Sequence, residues 1–227
     1  MNWRKHYKKA ITFSYDDGVE QDVRLLEILS DYGLKATFNL NTGLDYDHGT
    51  WQYEDKFQVH RLNLPEVRAL YEGHEIAVHG REHLCLTGLD EAALHRELAL
   101  DAEEITRIFG EAPVGMAYAY GAYNDAVVEK LRSLGLQYAR TVESTHSFAE
   151  QPDLLRFRPT CHHDDEKLFQ LADEFLSMKP DAPQIFYIWG HSYEFEGKKN
   201  WDRFRRFCER ISGREDIFYG TNRQVLL

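Results

Sequence analysis

The stretch Ala10-Ile11-Thr12-Phe13-Ser14-Tyr15-Asp16-Asp17-Gly18 runs from an apolar segment into two adjacent carboxylates and a glycine. Ala10–Tyr15 predicts a buried strand, and Asp22–Tyr32 follows with Val23, Leu25, Leu26, Ile28 and Leu29 at helical spacing. Gly33 supplies the helix stop, and Ala36–Leu40 predicts the next strand. The same alternation continues outward. Strands are expected at Glu75–His79, Val114–Ala119, Gln137–Val142, Leu154–Pro159, Gln184–Trp189 and Asp216–Tyr219. Helices are expected from Pro65 to Tyr71, and at Asp90–Phe109, Asp125–Leu134, Lys167–Met178 and Trp201–Ile211. Such alternation is the signature of βαβ units and a parallel sheet. No GxGxxG follows the first strand, so the dinucleotide-binding sheet is disfavoured. The fold class expected is α/β: a distorted (β/α) barrel of six to seven parallel strands, one domain over residues 1–227. One polar stretch, from Asn41 to Asn63, lacks periodicity, as functional loops and insertions do.

Composition narrows the function classes. The 227 residues carry a formal charge of −11, which argues against a nucleic-acid partner, because phosphate binding needs a basic surface. No apolar run approaches the length of a membrane span, and the basic N-terminus lacks the apolar core of a signal peptide. No membrane association is therefore expected, and the chain as given reads as cytoplasmic. Cys85, Cys161 and Cys208 have no CxxC spacing and read as free thiols. Oligomeric state leaves no mark in the sequence.

Barrel enzymes place working residues where strands end and βα loops begin. The expected strand ends here are Asp16-Asp17-Gly18, His79-Gly80-Arg81-Glu82-His83, Tyr118-Ala119-Tyr120-Gly121, Arg140-Thr141 and Gly190-His191. In His79-x-x-x-His83, residues i and i+4 of a helical turn share a face, so two imidazoles can converge on one ion. A carboxylate from another strand would complete a three-ligand set with open positions.

These residues resemble the polysaccharide deacetylases, carbohydrate esterase family 4. Thr12-Phe13-Ser14-Tyr15-Asp16-Asp17-Gly18 resembles the first family motif, expanded by two residues. Gly73-His74-Glu75-Ile76 leading to His79 and His83 resembles the second. Ala117-Tyr118-Ala119-Tyr120-Gly121 keeps part of the third, and Ile188-Trp189-Gly190-His191 resembles the fifth. The fourth is not found. By this resemblance Asp17, His79 and His83 bind one divalent metal ion, with zinc the expected ion. Asp16 is the general base on the metal-activated water, and His191 the general acid for the leaving amine. The Tyr120 backbone N–H helps hold the oxyanion. The substrate implied is an N- or O-acetylated carbohydrate.

The third family motif usually carries an arginine that orients the base, and Ala117 stands in its place. Arg140, at the next strand end, is the candidate replacement, because a guanidinium holds a carboxylate bidentately. Asp164 or Asp165 could serve as the partner of His191. Cys161-His162-His163-Asp164-Asp165 could line the cleft, cap a helix through Asp164, or add a metal contact. Trp51, Tyr53, Phe57 and the run from His191 to Phe195 could stack on sugars or simply pack locally. Two other functions stay open: a metal-dependent amidase on a small non-sugar amide, and a catalytically inactive carbohydrate-binding relative.

Overall fold

The computed structural model describes residues 2–227. Its strands are β1 (Lys9–Asp16), β2 (Ala36–Leu40), β3 (Trp51–Tyr53), β4 (Phe57–Val59), β5 (Glu75–Val78), β6 (Gly115–Ala117), β7 (Tyr138–Arg140), β8 (Cys161–His162), β9 (Gln184–Gly190) and β10 (Ile217–Tyr219). Its helices are α1 (Asp22–Asp31), α2 (Leu64–Val67), α3 (Glu91–His95), α4 (Asp101–Phe109), α5 (Asp125–Ser133), α6 (Leu168–Ser177), α7 (Ser192–Lys198), α8 (Trp201–Ile211) and α9 (Asn222–Leu226). The main sheet is parallel and curls in the order β7-β6-β5-β2-β1-β9-β8, with β10 beside the start of β1. It is a distorted (β/α) barrel in a single domain, as the alternation predicts.

The sixth strand is displaced from its expected place. Leu154–Arg156 is a 3-10 turn, and the strand that pairs with β9 is the short β8. Proline at 159 has no N–H to give a ladder, so pairing stops and restarts around it. The segment still closes the barrel. Phe157 N–H donates to Ala139 O at 3.0 Å and Thr141 N–H to Phe157 O at 2.8 Å on one side, while β8 pairs with β9 on the other.

β1 is buried along its whole length, and its two faces differ in chemistry. Ile11, Phe13 and Tyr15 point outward into the apolar layer under the helices. Phe13 meets Phe204 and Phe207 of α8 edge-on, at 6.1 and 6.3 Å between ring centres. Thr12, Ser14 and Asp16 alternate to the inside. There Thr12 Oγ1 donates to Asn222 Oδ1 at 2.8 Å, and Asn39 Nδ2 donates to Ser14 Oγ at 2.9 Å. The barrel interior thus carries a line of polar groups from Asn222 of α9 up to Asp16, beside an apolar cluster of Ala10, Ile185, Tyr187 and Trp189.

Two other elements depart from the sequence pattern. The polar stretch after β2 folds a small antiparallel hairpin, β3–β4, whose few residues are too short to display a period. The helix expected at Asp90–Phe109 is interrupted by a π-helical turn, Arg96–Leu100, between α3 and α4. That wider turn directs the buried Glu97 and Asp101 carboxylates beneath the loops that follow β2 and β5, as π-bulges near functional sites often do.

Phe13→Ala removes a ring from the β1–α8 contact without touching the polar interior. We expect a loss of about 3–5 kcal/mol of unfolding free energy in urea titration, the usual cost of a buried Phe truncation. A loss under about 1 kcal/mol would contradict the packing described.

Candidate active site

The C-terminal ends of the strands bring the predicted residues together. Asp16 ends β1, His79 follows β5, Arg140 ends β7 and His191 follows β9. Asp17 Oδ1 lies 3.8 Å from His79 Nε2 and 3.6 Å from His83 Nε2. Asp16 Oδ2 is 3.9 Å from His79 Nε2 and 3.8 Å from His191 Nε2. Asp17, His83 and Tyr120 all have positive φ, at 85°, 55° and 58°. Non-glycine residues in this region carry strain that the surroundings must hold, and such residues cluster at active sites.

His79 and His83 converge by a different route from the helical turn their spacing suggested. His79 directly follows β5, and the chain reverses through Gly80, φ 83°, and His83. The turn rests on Glu97, which accepts from the N–H groups of Glu82 and Leu84, and Asp101 accepts from His79 N–H at 3.3 Å.

The three groups fit a metal ion. His79 Nδ1 sits 2.8 Å from Ala117 O, so it carries the proton and leaves Nε2 as an acceptor. That Nε2 is buried and has no hydrogen-bond partner. Burial pushes the imidazolium forms of His79 and His83 down, His83 to about 4, so both rings are neutral at pH 7. Burial would raise Asp17, but Arg61, His191, His79 and His83 outweigh it and hold Asp17 at about 2. Two neutral imidazoles and an ionised carboxylate are the donor types that would hold a divalent ion with positions left open.

Arg140 reaches Asp16. The buried guanidinium lies over the Trp189 ring, 4.4 Å from its centre. Its Nη2 donates to Asp16 Oδ1 at 2.6 Å and also contacts Oδ2. One nitrogen straddles both oxygens, in place of the two-nitrogen fork expected. Asn39 Nδ2 donates to Asp16 Oδ1 at 2.8 Å. Burial favours the neutral acid, yet Arg140, His79 and His191 together keep Asp16 below the ordinary carboxylate range.

The carboxylate partner of His191 is Glu194, not Asp164 or Asp165. Glu194 Oε2 lies 3.4 Å from His191 Nδ1 and accepts from the His191 backbone N–H at 3.2 Å. Asp164 instead binds Lys198 and Asn200, and Asp165 binds His146. Asp164 therefore caps no helix. His191 opens α7 and Glu194 is its third residue, a capping-box spacing readable in His191-Ser192-Tyr193-Glu194 that sequence reasoning missed. Burial pulls the His191 imidazolium down, but Glu194, Asp17 and Asp16 overcome it and raise His191 to about 9.

His162, His163, Asp164 and Glu194 form a second group whose ligand atoms lie close enough to hold an ion. Tautomers separate it from the first. His162 Nδ1 accepts from Asp164 N–H at 3.2 Å, so the proton sits on Nε2, 3.0 Å from Glu194 Oε2. This nitrogen donates a hydrogen bond and is not free to ligate. The second group is a hydrogen-bonded support for Glu194. Glu194→Gln should therefore drop the His191 pKa from about 9 to below the ordinary histidine value of about 6.5, read by NMR titration of the ring. A ring still titrating near 9 would show that other groups hold the charge.

Comparison with known proteins follows the same residues. The sequence profile for polysaccharide deacetylases matches residues 4–139. The chain is 29% identical over 150 residues to a chitin deacetylase of Pestalotiopsis sp., covering 64% of this chain and 45% of that protein. It is 28% identical over 133 residues to a chitooligosaccharide deacetylase of Rhizobium leguminosarum bv. trifolii, covering 57% and 54%. The chain spans about half the length of the curated relatives it matches. Among solved structures, a Mycobacterium smegmatis protein assigned to the same family superposes with a TM-score of 0.68 at 18% identity, covering 100% of this chain and 91% of that one. A family 4 carbohydrate esterase from Streptomyces lividans gives 0.61 at 17%, covering 94% and 93%. At such identities the structures speak for the fold alone. With a profile match over more than half its length, the chain belongs to the polysaccharide deacetylase family, carbohydrate esterase family 4.

Proposed function

We propose that this chain removes acetyl groups from an N- or O-acetylated carbohydrate, with one divalent ion, zinc, held by Asp17, His79 and His83. The observation that carries the reading is a base and an acid of opposite charge flanking one ligand set. Ionised Asp16 and protonated His191 stand 3.8 Å apart, each with its own buried partner. Pairs of titratable groups whose surroundings push their pKa values apart are the mark of acid–base chemistry. The relatives' names, chitin and chitooligosaccharide deacetylase, and the acetate bound in the S. lividans esterase favour an acetylated sugar.

When bound, the ion supplies Lewis acidity and brings the pKa of water toward about 7. Asp16 takes a proton from the attacking water, and Arg140 with Asn39 fixes the carboxylate in an ionised state. The new C–O bond forms at the acetyl carbon, and the Tyr120 N–H faces the oxygen that gains charge. His191 then gives its proton to the departing amine nitrogen, or to the alkoxide oxygen of an ester, as that bond to the acetyl carbon breaks. Acetic acid leaves and ionises to acetate by losing its proton to solvent, and the proton taken by Asp16 restores His191.

A small anionic amide is the weaker reading. Such a substrate calls for a cation free to meet its carboxylate, and the site's two buried guanidinium groups, Arg61 and Arg140, are committed to Asp17 and Asp16. Tyr120, 69% exposed, and Tyr46 stand open beyond the ends of β6 and β2, as platforms suited to sugar rings. An inactive binding relative would not need the buried Asp16 and a charged His191.

Acetate release from acetylated oligosaccharides, measured with and without chelator, tests the activity. Chelator-insensitive release would remove the metal from the reading. Asp16→Asn should lower turnover about 10²–10⁴-fold, the weight of general-base catalysis, with zinc content unchanged. Near-normal turnover would place the base elsewhere. Because His191 must be protonated, its contribution is complete well below its pKa and disappears as pH rises through about 9. The rate should fall on that limb, and Glu194→Gln should move the fall to lower pH.

A further inference from the structure

The polar stretch between β2 and α2 has so far served only as an insertion, yet it delivers a guanidinium to the ligand set. Its returning limb pairs with the loop after β1. Glu20 N–H donates to His60 O at 3.0 Å, Leu62 N–H donates to Gly18 O at 2.9 Å, and Arg61 lies opposite Val19. This pairing turns the Arg61 side chain, only 5% exposed, back beneath Asp17.

There Arg61 holds Asp17 at two points. Nη1 donates to the Asp17 carbonyl oxygen at 2.6 Å, and Nη2 donates to Oδ1 at 3.1 Å. Oδ1 is the oxygen that faces both His79 and His83. One planar group thus fixes the left-handed backbone of Asp17 and the direction of its carboxylate together. Nη1 also donates to Asn41 Oδ1 at 2.5 Å, and Asn41 Nδ2 donates to the carbonyls of His79 and Gly80 at 3.0 and 2.6 Å. Arg61 and Asn41 therefore form a polar frame joining the Asp17 loop to the His79–His83 loop. Trp51 of the hairpin covers the guanidinium at 5.0 Å. Gly49 leaves the path for the stem, since a Cβ there would stand 2.4 Å from Arg61 Cδ.

We propose that Arg61 is a positioning residue for the metal site, holding Asp17 in its ligating geometry and coupling it to the two histidines through Asn41. The proposal rests on Asp17, His79 and His83 being the ligands. Hydrogen-bonded partners of ligating carboxylates commonly set metal affinity in this way. A lysine cannot replace it, because an ammonium cannot span the carbonyl, the carboxylate and Asn41 in one plane. Charge alone would act in the opposite sense, since a guanidinium beside the ligand repels an incoming dication. The sign of the change therefore reports which role dominates.

The test is zinc affinity by competition with a chromophoric chelator, on the full chain and without substrate. Arg61→Met and Arg61→Lys should each weaken zinc binding about 10–100-fold, while Arg132→Met, on the exposed face of α5, binds zinc as the wild type does. Circular dichroism of the metal-free variants checks that they fold. Should Arg61→Met fail to fold, Arg61→Lys carries the test alone. Unchanged or tighter zinc binding by a folded Arg61 variant overturns the proposal, as does an Arg61→Lys variant with wild-type affinity. Wild-type protein that takes up no zinc would overturn the ligand assignment, and the role of Arg61 with it.

Discussion

Asp16 and Asp17 are neighbours in sequence and both almost wholly buried, and a carboxylate removed from water must be paired or become neutral. The structure gives each its own guanidinium, Arg140 from the end of β7 and Arg61 from the insertion after β2. These arginines come from separate segments, so each carboxylate has its own counterion. Asp16 is turned toward the barrel axis and Asp17 toward the histidines. Replacing either arginine by a neutral side chain would leave a buried charge without its counterion, which places both among the costliest positions in the fold.

The interior of the barrel prepares this arrangement from below. Several inward side chains of β1, β2, β5, β7 and β9 are hydrogen-bonded in a chain: Thr12 to Asn222, Thr37 to Glu75, Tyr138 to Glu75, and Asn222 to Tyr187. Beside these groups Ala10, Phe157, Ile185, Tyr187 and Trp189 pack as an inner apolar cluster, while the larger apolar layer lies between sheet and helices. The last members of this hydrogen-bonded chain, Asn39 and Arg140, are the groups that hold Asp16. Above the barrel, Glu97 of the π-turn and Asp101 at the start of α4 accept from N–H groups of the loops after β2 and β5. Burial raises both carboxyls, Asp101 to about 7. Their role is to shape the His79–His83 loop.

Two clusters of similar composition lie on either side of His191, and proton placement gives them different characters. On one side Ala117 O takes the Nδ1 proton of His79 and frees Nε2. On the other, the Asp164 N–H occupies Nδ1 of His162 and leaves Nε2 as a donor to Glu194. Residue types alone do not distinguish a ligand from a support. The backbone group facing the second ring nitrogen does.

Much of this protein is legible in the chain. Alternating short apolar runs and amphipathic stretches determine a parallel barrel, because each element must bury one face against the next. Paired acids at the end of β1, His79-x-x-x-His83 after β5 and His191 after β9 mark the candidate site, because a parallel barrel collects strand ends at one rim. Arg140 could be placed by the same logic, as the arginine at a strand end beside the altered third motif. The sequence also held a signal for Glu194 in its capping-box spacing. It held none for Arg61, one arginine in an aperiodic loop, whose place depends on backbone pairing with a segment more than forty residues earlier. Tertiary structure alone decided which oxygen meets which guanidinium, which imidazole nitrogen is free, and where β8 restarts after Pro159. Those outcomes depend on distances between residues far apart in the chain, and no local pattern encodes them.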